Sequence, residues 1–403
     1  MNKIFAGLAM AFGIAAGAAE TAEACTSSQI NMRQRADVAI DANTGTLLYG
    51  MNENTPFYQA SLTKRMVQLM AYEALQNGSL TKEQRIDLPR NYFRNASGEP
   101  QYADAIPFNY TSVSVEDAIT AMMLRSSNRA PFALARAIGG TEENFVAMMN
   151  TRAAQLGMSQ SHFVNPAGYP TAEAERAHRT TAMDHAKLVR EIVTKFPEEV
   201  ENLSRLSASL TGYTNSGRAG NFTVQTTNAL MPGRNSAYSL SYVSGGKTGY
   251  ACAAGPAIDV EAEIGGRTVI VVTGGHDNAA ERNRTAYNIL TERGALFMAR
   301  LEHSREVEQQ QLAMQNLEML FGRPEPSPFY RSFTYASYKP YSYDHLGTAS
   351  RPANFYGMTS YLGYQWPAQN PGDPFAPQKD QTFALAPDRF RFLNFSPLSS
   401  QYQ

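Results

Sequence analysis

At 403 residues, with a formal net charge of −1 and basic and acidic residues mixed along its length, the chain can bury a sizeable core. It lacks the basic excess that accompanies phosphate neutralisation, which argues against a nucleic-acid partner. Six scattered histidines, no His-Glu-x-x-His pattern and no glycine-rich phosphate loop leave a metal centre or a nucleotide cofactor without support.

The N-terminus has the form of a secretory signal over residues 1–24. Lys3 precedes a short apolar stretch, Ile4 to Ala16, and small residues at Ala16-Gly17-Ala18 or Ala22-Glu23-Ala24 offer a cleavage site. The apolar run is too short to span a bilayer comfortably, and nothing later reaches spanning length. The expectation is a periplasmic or secreted protein with no membrane anchor after cleavage. Cys25 and Cys252 are the only cysteines. They have the oxidising compartment a disulfide needs but no sequence evidence of proximity, and lipidation of Cys25 fits the residues before it badly.

Next, "ADVAIDANTGTLLYG" alternates around a turn at Asn43-Thr44-Gly45, the pattern of a hairpin. From Ser61 to about Gln76 the apolar spacing turns helical, with Gly78 as a stop. Ser114 has the look of an N-cap before a second helix. A further helix is expected from Pro131 to Ile138, and another from the capping residue Thr141 to Gly157. Strand-like runs return in "YVSGGKTGYACAAGPAIDVEAEIGGRTVIVVTGG", with Gly265-Gly266 between the last two. A helix follows from Ala279 to about Leu301, and residues 301–321 form a polar helical extension. Strands at both ends with helices between them predict an antiparallel sheet covered by the helical middle. Residues 322–403 are rich in Pro, Tyr, Phe and Ser without either period, as expected of an extended or disordered tail.

Ser-Leu-Thr-Lys occurs twice, at 61–64 and at 79–82. Residues three apart share a helix face, so Ser61 meets Lys64 one turn on. The helix start favours developing negative charge at Ser61, and apolar neighbours lower the pKa of Lys64 so that a neutral amine can take the serine proton. Ser79 instead follows the Asn77-Gly78 stop, and Lys82 sits in a solvated capping box, so the second copy is structural. Ser126-Ser127-Asn128 falls in a break between two apolar helices, where a hydroxyl can relay a proton and an amide can bind substrate. Taken alone, it is ordinary loop composition. Lys247-Thr248-Gly249 enters a strand with a charge, a hydroxyl and a glycine that lets a substrate backbone approach. Taken alone, it is a hairpin turn.

Together, Ser-x-x-Lys, Ser-x-Asn and Lys-Thr-Gly in this order resemble the serine penicillin-recognising enzymes. The stretches "DANTGTLLYGMNENTPFYQASLTK", "LGMSQSHFVNPAGYP" and "RTTAMDHAKLV" are similar to the D-alanyl-D-alanine carboxypeptidases of peptidase family S11, from about Asp37 to Phe297. The resemblance implies an α/β (α+β) fold: a five-stranded antiparallel sheet flanked by helices plus an all-helical subdomain, within a catalytic domain of residues 25–300. It implies that Ser61 forms an acyl-enzyme with a D-alanyl peptide of the peptidoglycan stem, Lys64 is the base and Ser126 relays the proton. It further implies that Asn128 orients the substrate amide and that Lys247, Thr248 and Gly249 receive the terminal carboxylate or a β-lactam. Backbone N–H groups of Ser61 and Tyr250 would form the oxyanion hole, with Arg282 or Arg284 as an extra cation. Ala251-Cys252 departs from the polar pair that often follows the third motif.

Three alternatives follow. A D,D-endopeptidase would use the same residues on cross-links. A β-lactamase would need a deacylating glutamate, for which Glu198 is poorly placed. A non-catalytic peptidoglycan-binding protein would use the aromatic tail.

Overall fold

The computed structural model describes residues 34–90, 104–169, 177–251, 254–291 and 294–321. The expectations for the signal segment, Cys25, Cys252 and the tail lie outside the described residues. The chain divides into two units, Met1–Pro324 and Glu325–Gln403, and everything below concerns the first.

In chain order the described elements are β1 (Ala36–Asp41), β2 (Leu47–Met51), a 3-10 turn (Ala60–Thr63), α1 (Lys64–Gln76), β3 (Arg85–Asp87), β4 (Ser112–Ser114), α2 (Val115–Arg125), α3 (Arg129–Gly139) and α4 (Glu142–Gln155). Then come α5 (Ala182–Lys195), α6 (Pro197–Glu201), β5 (Ser207–Tyr213), β6 (Ala219–Gln225), β7 (Val243–Ala251), β8 (Gly255–Ile264), β9 (Arg267–Gly274), α7 (Ala279–Thr291) and α8 (Gly294–Phe321). Strands from the two ends form one five-stranded antiparallel sheet, ordered β2-β1-β9-β8-β7, as expected. The β8–β9 hairpin turns at Gly265-Gly266, both with positive φ, the geometry a two-residue hairpin demands.

This sheet is buried on both faces, which explains its long β-branched runs. Val269 and Val271 of β9 face Ala286, Ile289 and Leu290 of α7. Ile270 and Val272, pointing the other way, pack with Leu62 of the 3-10 turn and with Ala182, Ala186 and Val189 of α5. Side-chain oxygens cap three helices. Ser114 accepts from Asp117 N at 3.0 Å, Thr141 from Asn144 N at 3.1 Å and Thr181 from Asp184 N at 3.0 Å.

Three differences from the sequence reading have physical causes. The α-helix starts at Lys64, and Ser61 occupies a tighter 3-10 turn before it. α3 starts at Arg129, so Pro131 lies in the first turn, where its missing N–H has no helical partner to lose. The helical layer also carries a second, four-stranded sheet, ordered β3-β4-β5-β6, which the sequence reading did not include. Its Ile86, Val113, Leu210 and Val224 share a core with Leu69, Met122, Leu134 and Phe145 of the helices. The helix expected from Ala279 is described over Ala279–Thr291 and Gly294–Phe321, so helix also covers the polar extension. Leu301 of α8 is buried in the core beside the sheet, and polar anchors add to it: buried Ser304 donates to Asp41 at 2.5 Å, and Glu308 pairs with Arg267.

Phe145 is fully buried in the helical core. Phe145→Ala is expected to lower unfolding free energy by about 3–5 kcal/mol, read as a shift of the chemical denaturation midpoint.

Candidate active site

The site starts from a strained turn. Ala60, immediately before Ser61, has φ of 45, a left-handed conformation costing an L-residue roughly 1–2 kcal/mol. Several contacts hold it there. Thr63 Oγ1 donates to Ala60 O at 2.6 Å, and Thr63 Oγ1 lies 2.6 Å from His178 Nε2. Val164 N donates to His178 Nδ1 at 3.0 Å, so that nitrogen is the acceptor and Nε2 carries the proton. Burial first, then the charge of His162, pushes the His178 pKa down to about 3, and the imidazole stays neutral. Gly168, with φ of 67, passes so close to the Ala60 carbonyl that a Cβ there would overlap it.

Ser61 is half-buried at this turn, and Lys64 is fully buried one turn later. Lys64 Nζ lies 2.6 Å from Ser61 Oγ, 3.0 Å from Asn128 Oδ1 and 3.1 Å from Ala167 O. The last two atoms can only accept. A neutral amine has two protons and one lone pair, so donating to both carbonyl oxygens turns the lone pair to the Ser61 hydroxyl. Burial, the nearby charge of Lys247 and a weaker opposing pull from Asp104 hold the Lys64 pKa well below the usual lysine value of 10.5.

The second motif sits across from this pair. Ser126 ends α2 in the left-handed conformation, φ 61, which points the chain back toward Lys64. Asp104, absent from the sequence reading, ties the turn down. Its carboxylate accepts from Ser127 Oγ at 2.9 Å, Asn128 N at 2.7 Å and Arg129 N at 3.1 Å. The third motif lies on β7. Buried Lys247 donates to Ser126 Oγ at 2.9 Å, and Thr248 Oγ1 lies 2.6 Å from Thr227 Oγ1. Gly249 packs against Gln59 O and Leu62 at the 3-10 turn, where a Cβ would sit 3.3 Å from both. Tyr250, half-buried, follows it.

The fold therefore gathers the sequence candidates around one turn. Ser61, Lys64 and Asn128 form one hydrogen-bonded set, Ser126 and Lys247 a second, and Gly249 brings β7 against the turn. The other Ser-Leu-Thr-Lys copy is elsewhere: Ser79 Oγ donates to Ala74 O at 3.2 Å, and Lys82 pairs with Glu199 at 2.9 Å. Arg282 is buried on α7, while Arg284 lines a surface cavity with Arg35 and Tyr49. The residues the sequence reading did not single out are Asp104, His178 and the Asn165–Gly168 turn. Only the last had a local signal, since Asn165 Oδ1 accepts from Ala167 N at 3.1 Å and Tyr169 N at 3.0 Å, as asparagine does in turns.

A five-stranded sheet carrying Lys-Thr-Gly, facing a helix that opens with Ser-x-x-Lys, defines the penicillin-recognising serine class. The D-alanyl-D-alanine carboxypeptidase family model, peptidase S11, matches residues 22–278, and the chain belongs to that family. It is 27% identical over 267 residues to D-alanyl-D-alanine carboxypeptidase DacF of Bacillus subtilis, covering 66% of this chain and 63% of that protein. It is 26% identical over 257 residues to the D-alanyl-D-alanine endopeptidase of Escherichia coli, covering 63% of this chain and 75% of the other. Against DacD of Escherichia coli, at 30% identity, it spans 61% of the relative's length. Among solved structures, penicillin-binding protein D2 of Listeria monocytogenes in its ampicillin-bound form is 26% identical with a TM-score of 0.51, covering 67% of this chain and 97% of that one. Among the described residues no helix is long and apolar enough to cross a membrane.

As the base for acylation of Ser61, Lys64 could act only as the free amine, so acylation should rise as pH climbs through its lowered pKa and persist above it. Lys64→Arg, whose guanidinium keeps its proton, is expected to acylate about a thousandfold more slowly at neutral pH, followed by stopped flow with a fluorescent penicillin.

Proposed function

We propose that the protein is a serine-type D-Ala-D-Ala carboxypeptidase that trims peptidoglycan stem peptides through an acyl-enzyme on Ser61 and is inhibited by β-lactams. The observation that carries this reading is the 2.6 Å contact of Ser61 Oγ with a buried lysine whose other two partners are obligate acceptors. Ser61 Oγ attacks the penultimate D-alanyl carbonyl as its proton passes to Lys64 Nζ. Collapse of the tetrahedral intermediate breaks the peptide C–N bond, and the leaving amine takes a proton relayed through Ser126. Water then hydrolyses the ester by the reverse route, releasing the trimmed peptide and regenerating the Ser61 hydroxyl.

Lys247 and Thr248 receive the terminal carboxylate, Asn128 orients the substrate amide, and Gly249 leaves room for the substrate along β7. Lys247 donates to Ser126 Oγ, which leaves the Ser126 proton available to the leaving group. The backbone N–H groups of Ser61 and Tyr250 stabilise the oxyanion. Such a donor is typically worth about a hundredfold or more in turnover. The signal-like N-terminus puts this work in the periplasm or outside the cell. A second reading, cleavage of cross-links, is favoured by the similarity to a D-alanyl-D-alanine endopeptidase over 75% of that protein.

Incubation with benzylpenicillin should add one penicilloyl mass, mapped to the peptide carrying Ser61. An adduct on Ser79, or none at all, overturns the assignment. Pentapeptide monomers should release free D-alanine, whereas cleavage of cross-linked dimers without that release would establish the endopeptidase reading. Glu198 is exposed on the short helix α6, so hydrolysis of nitrocefin should be slow, with one turnover outlasting the acylation burst.

A further inference from the structure

Beneath the site lies a buried charge cluster that the acyl-transfer chemistry does not use. Asp259 of β8 is fully buried, and its carboxylate is shared by three elements. Arg65, the residue after Lys64, approaches it through Nε at 3.1 and 3.3 Å and also through Nη2. His185 Nε2 of α5 lies 2.9 Å from its other oxygen. The backbone N–H of Lys247 donates to it at 3.0 Å. One carboxylate thus grips the helix immediately after the lysine paired with Ser61 and the strand at the lysine paired with Ser126.

The neighbouring sequence is shaped around this cluster. Glu261, two residues along β8, pairs with the same Arg65 at 2.7 Å. Gly245 and Gly246 precede Lys247 on β7. A Cβ on Gly245 would overlap the Glu261 carboxylate, and one on Gly246, whose φ is 141, would overlap the Asp259 carbonyl. The doubled glycine of "SGGKTG" therefore makes room for the Glu261 carboxylate at one position and for the backbone of β8 at Asp259 at the other. Burial alone would raise the Asp259 pKa, but Arg65 and His185 outweigh it and keep the carboxylate ionised.

We propose that Asp259 is a positioning residue for acyl transfer: its carboxylate clamps α1 to β7 and so sets the separation between the Ser61–Lys64 pair and the Ser126–Lys247 pair. The inference rests on the acyl-enzyme reading above. Its physical basis is that reacting groups misplaced by about 1 Å can lose on the order of a hundredfold in rate. An ion pair holds such a distance more narrowly than an apolar contact, because Arg65 and the Lys247 amide converge on the same oxygen.

The test compares full-length wild type, Asp259→Asn and the triple variant Arg65→Met/Asp259→Leu/Glu261→Met, which also removes the second acid on Arg65. Acylation by fluorescent penicillin, deacylation of the adduct and melting temperature are measured for each. Asp259→Asn should lose both stability and acylation rate. A buried ionic triad replaced whole by apolar groups of similar size is often tolerated, so the triple variant should recover most of the melting temperature. Its acylation should nevertheless stay about a hundredfold below wild type. Recovery of acylation in step with melting temperature would overturn the clamp, since Asp259 would then serve stability alone. A triple variant that cannot fold would overturn it too, because the cluster would then hold the fold and not the site. If the wild type itself forms no adduct on Ser61, the acyl-enzyme reading fails first and the clamp's role goes with it.

Discussion

A lysine amine whose pKa is driven down by burial is the constraint on which the rest of this structure turns. A free ammonium at Lys64 would be useless as a base and costly to bury, and the site resolves both problems with the same atoms. Full burial and the charge of Lys247 favour loss of the proton. Asn128 Oδ1 and Ala167 O then take the two remaining N–H groups, so the neutral form is fully hydrogen-bonded while its lone pair faces Ser61. Asp104 opposes the shift, yet it is also the group that fixes the turn bearing Ser126 and Asn128.

The two-layer architecture supplies those partners from distant parts of the chain. α1 sits at the junction: Leu62, just before it, packs on the five-stranded sheet, while Met66 and Met70 within it belong to the helical core. Movement of either layer would change the distance between Lys64 and Lys247. The turn before α1 adds local rigidity. Backbone strain at Ala60 persists because Thr63 and Gly168 lie against its carbonyl and His178 holds Thr63 in place, and strain of this kind is typical of sites where one side chain must be presented in one orientation.

Much of this was legible in the residues, and the illegible part has identifiable causes. The three motifs stood out because acyl transfer needs a hydroxyl, an amine and an anion-binding strand of fixed types. An antiparallel sheet drawn from both ends of the chain was readable from long β-branched runs, such as Val269 to Val272, which the fold buries on both faces. The second sheet was not, since β3 and β4 are three residues each, too short for alternation to show, and β5 buries the small Ala208 and Gly212 alongside Leu210. Asp104 is a lone acid in loop sequence, and only the turn at Ser127 to Arg129 reveals its purpose. His178 and His185 are two of six scattered histidines, and only tertiary contacts separate the one that steadies the Ser61 turn from the one that meets Asp259.

The repeated Ser-Leu-Thr-Lys is the sharpest evidence that a motif is not a site. Both copies place a hydroxyl three residues before an amine. At the first, burial and the charge of Lys247 lower the pKa of Lys64, whose Nζ lies 2.6 Å from Ser61 Oγ beside a strained turn. At the second, the helix has already ended, Ser79 donates back to Ala74 O, and Lys82 keeps its charge beside Glu199, which raises its pKa. One lysine pKa falls and the other rises, from identical local sequence. A lowered lysine pKa is therefore a property conferred by the core around residue 64, and the carbonyl of Ala167 and the amide of Asn128 that meet its amine do not lie within the four letters themselves.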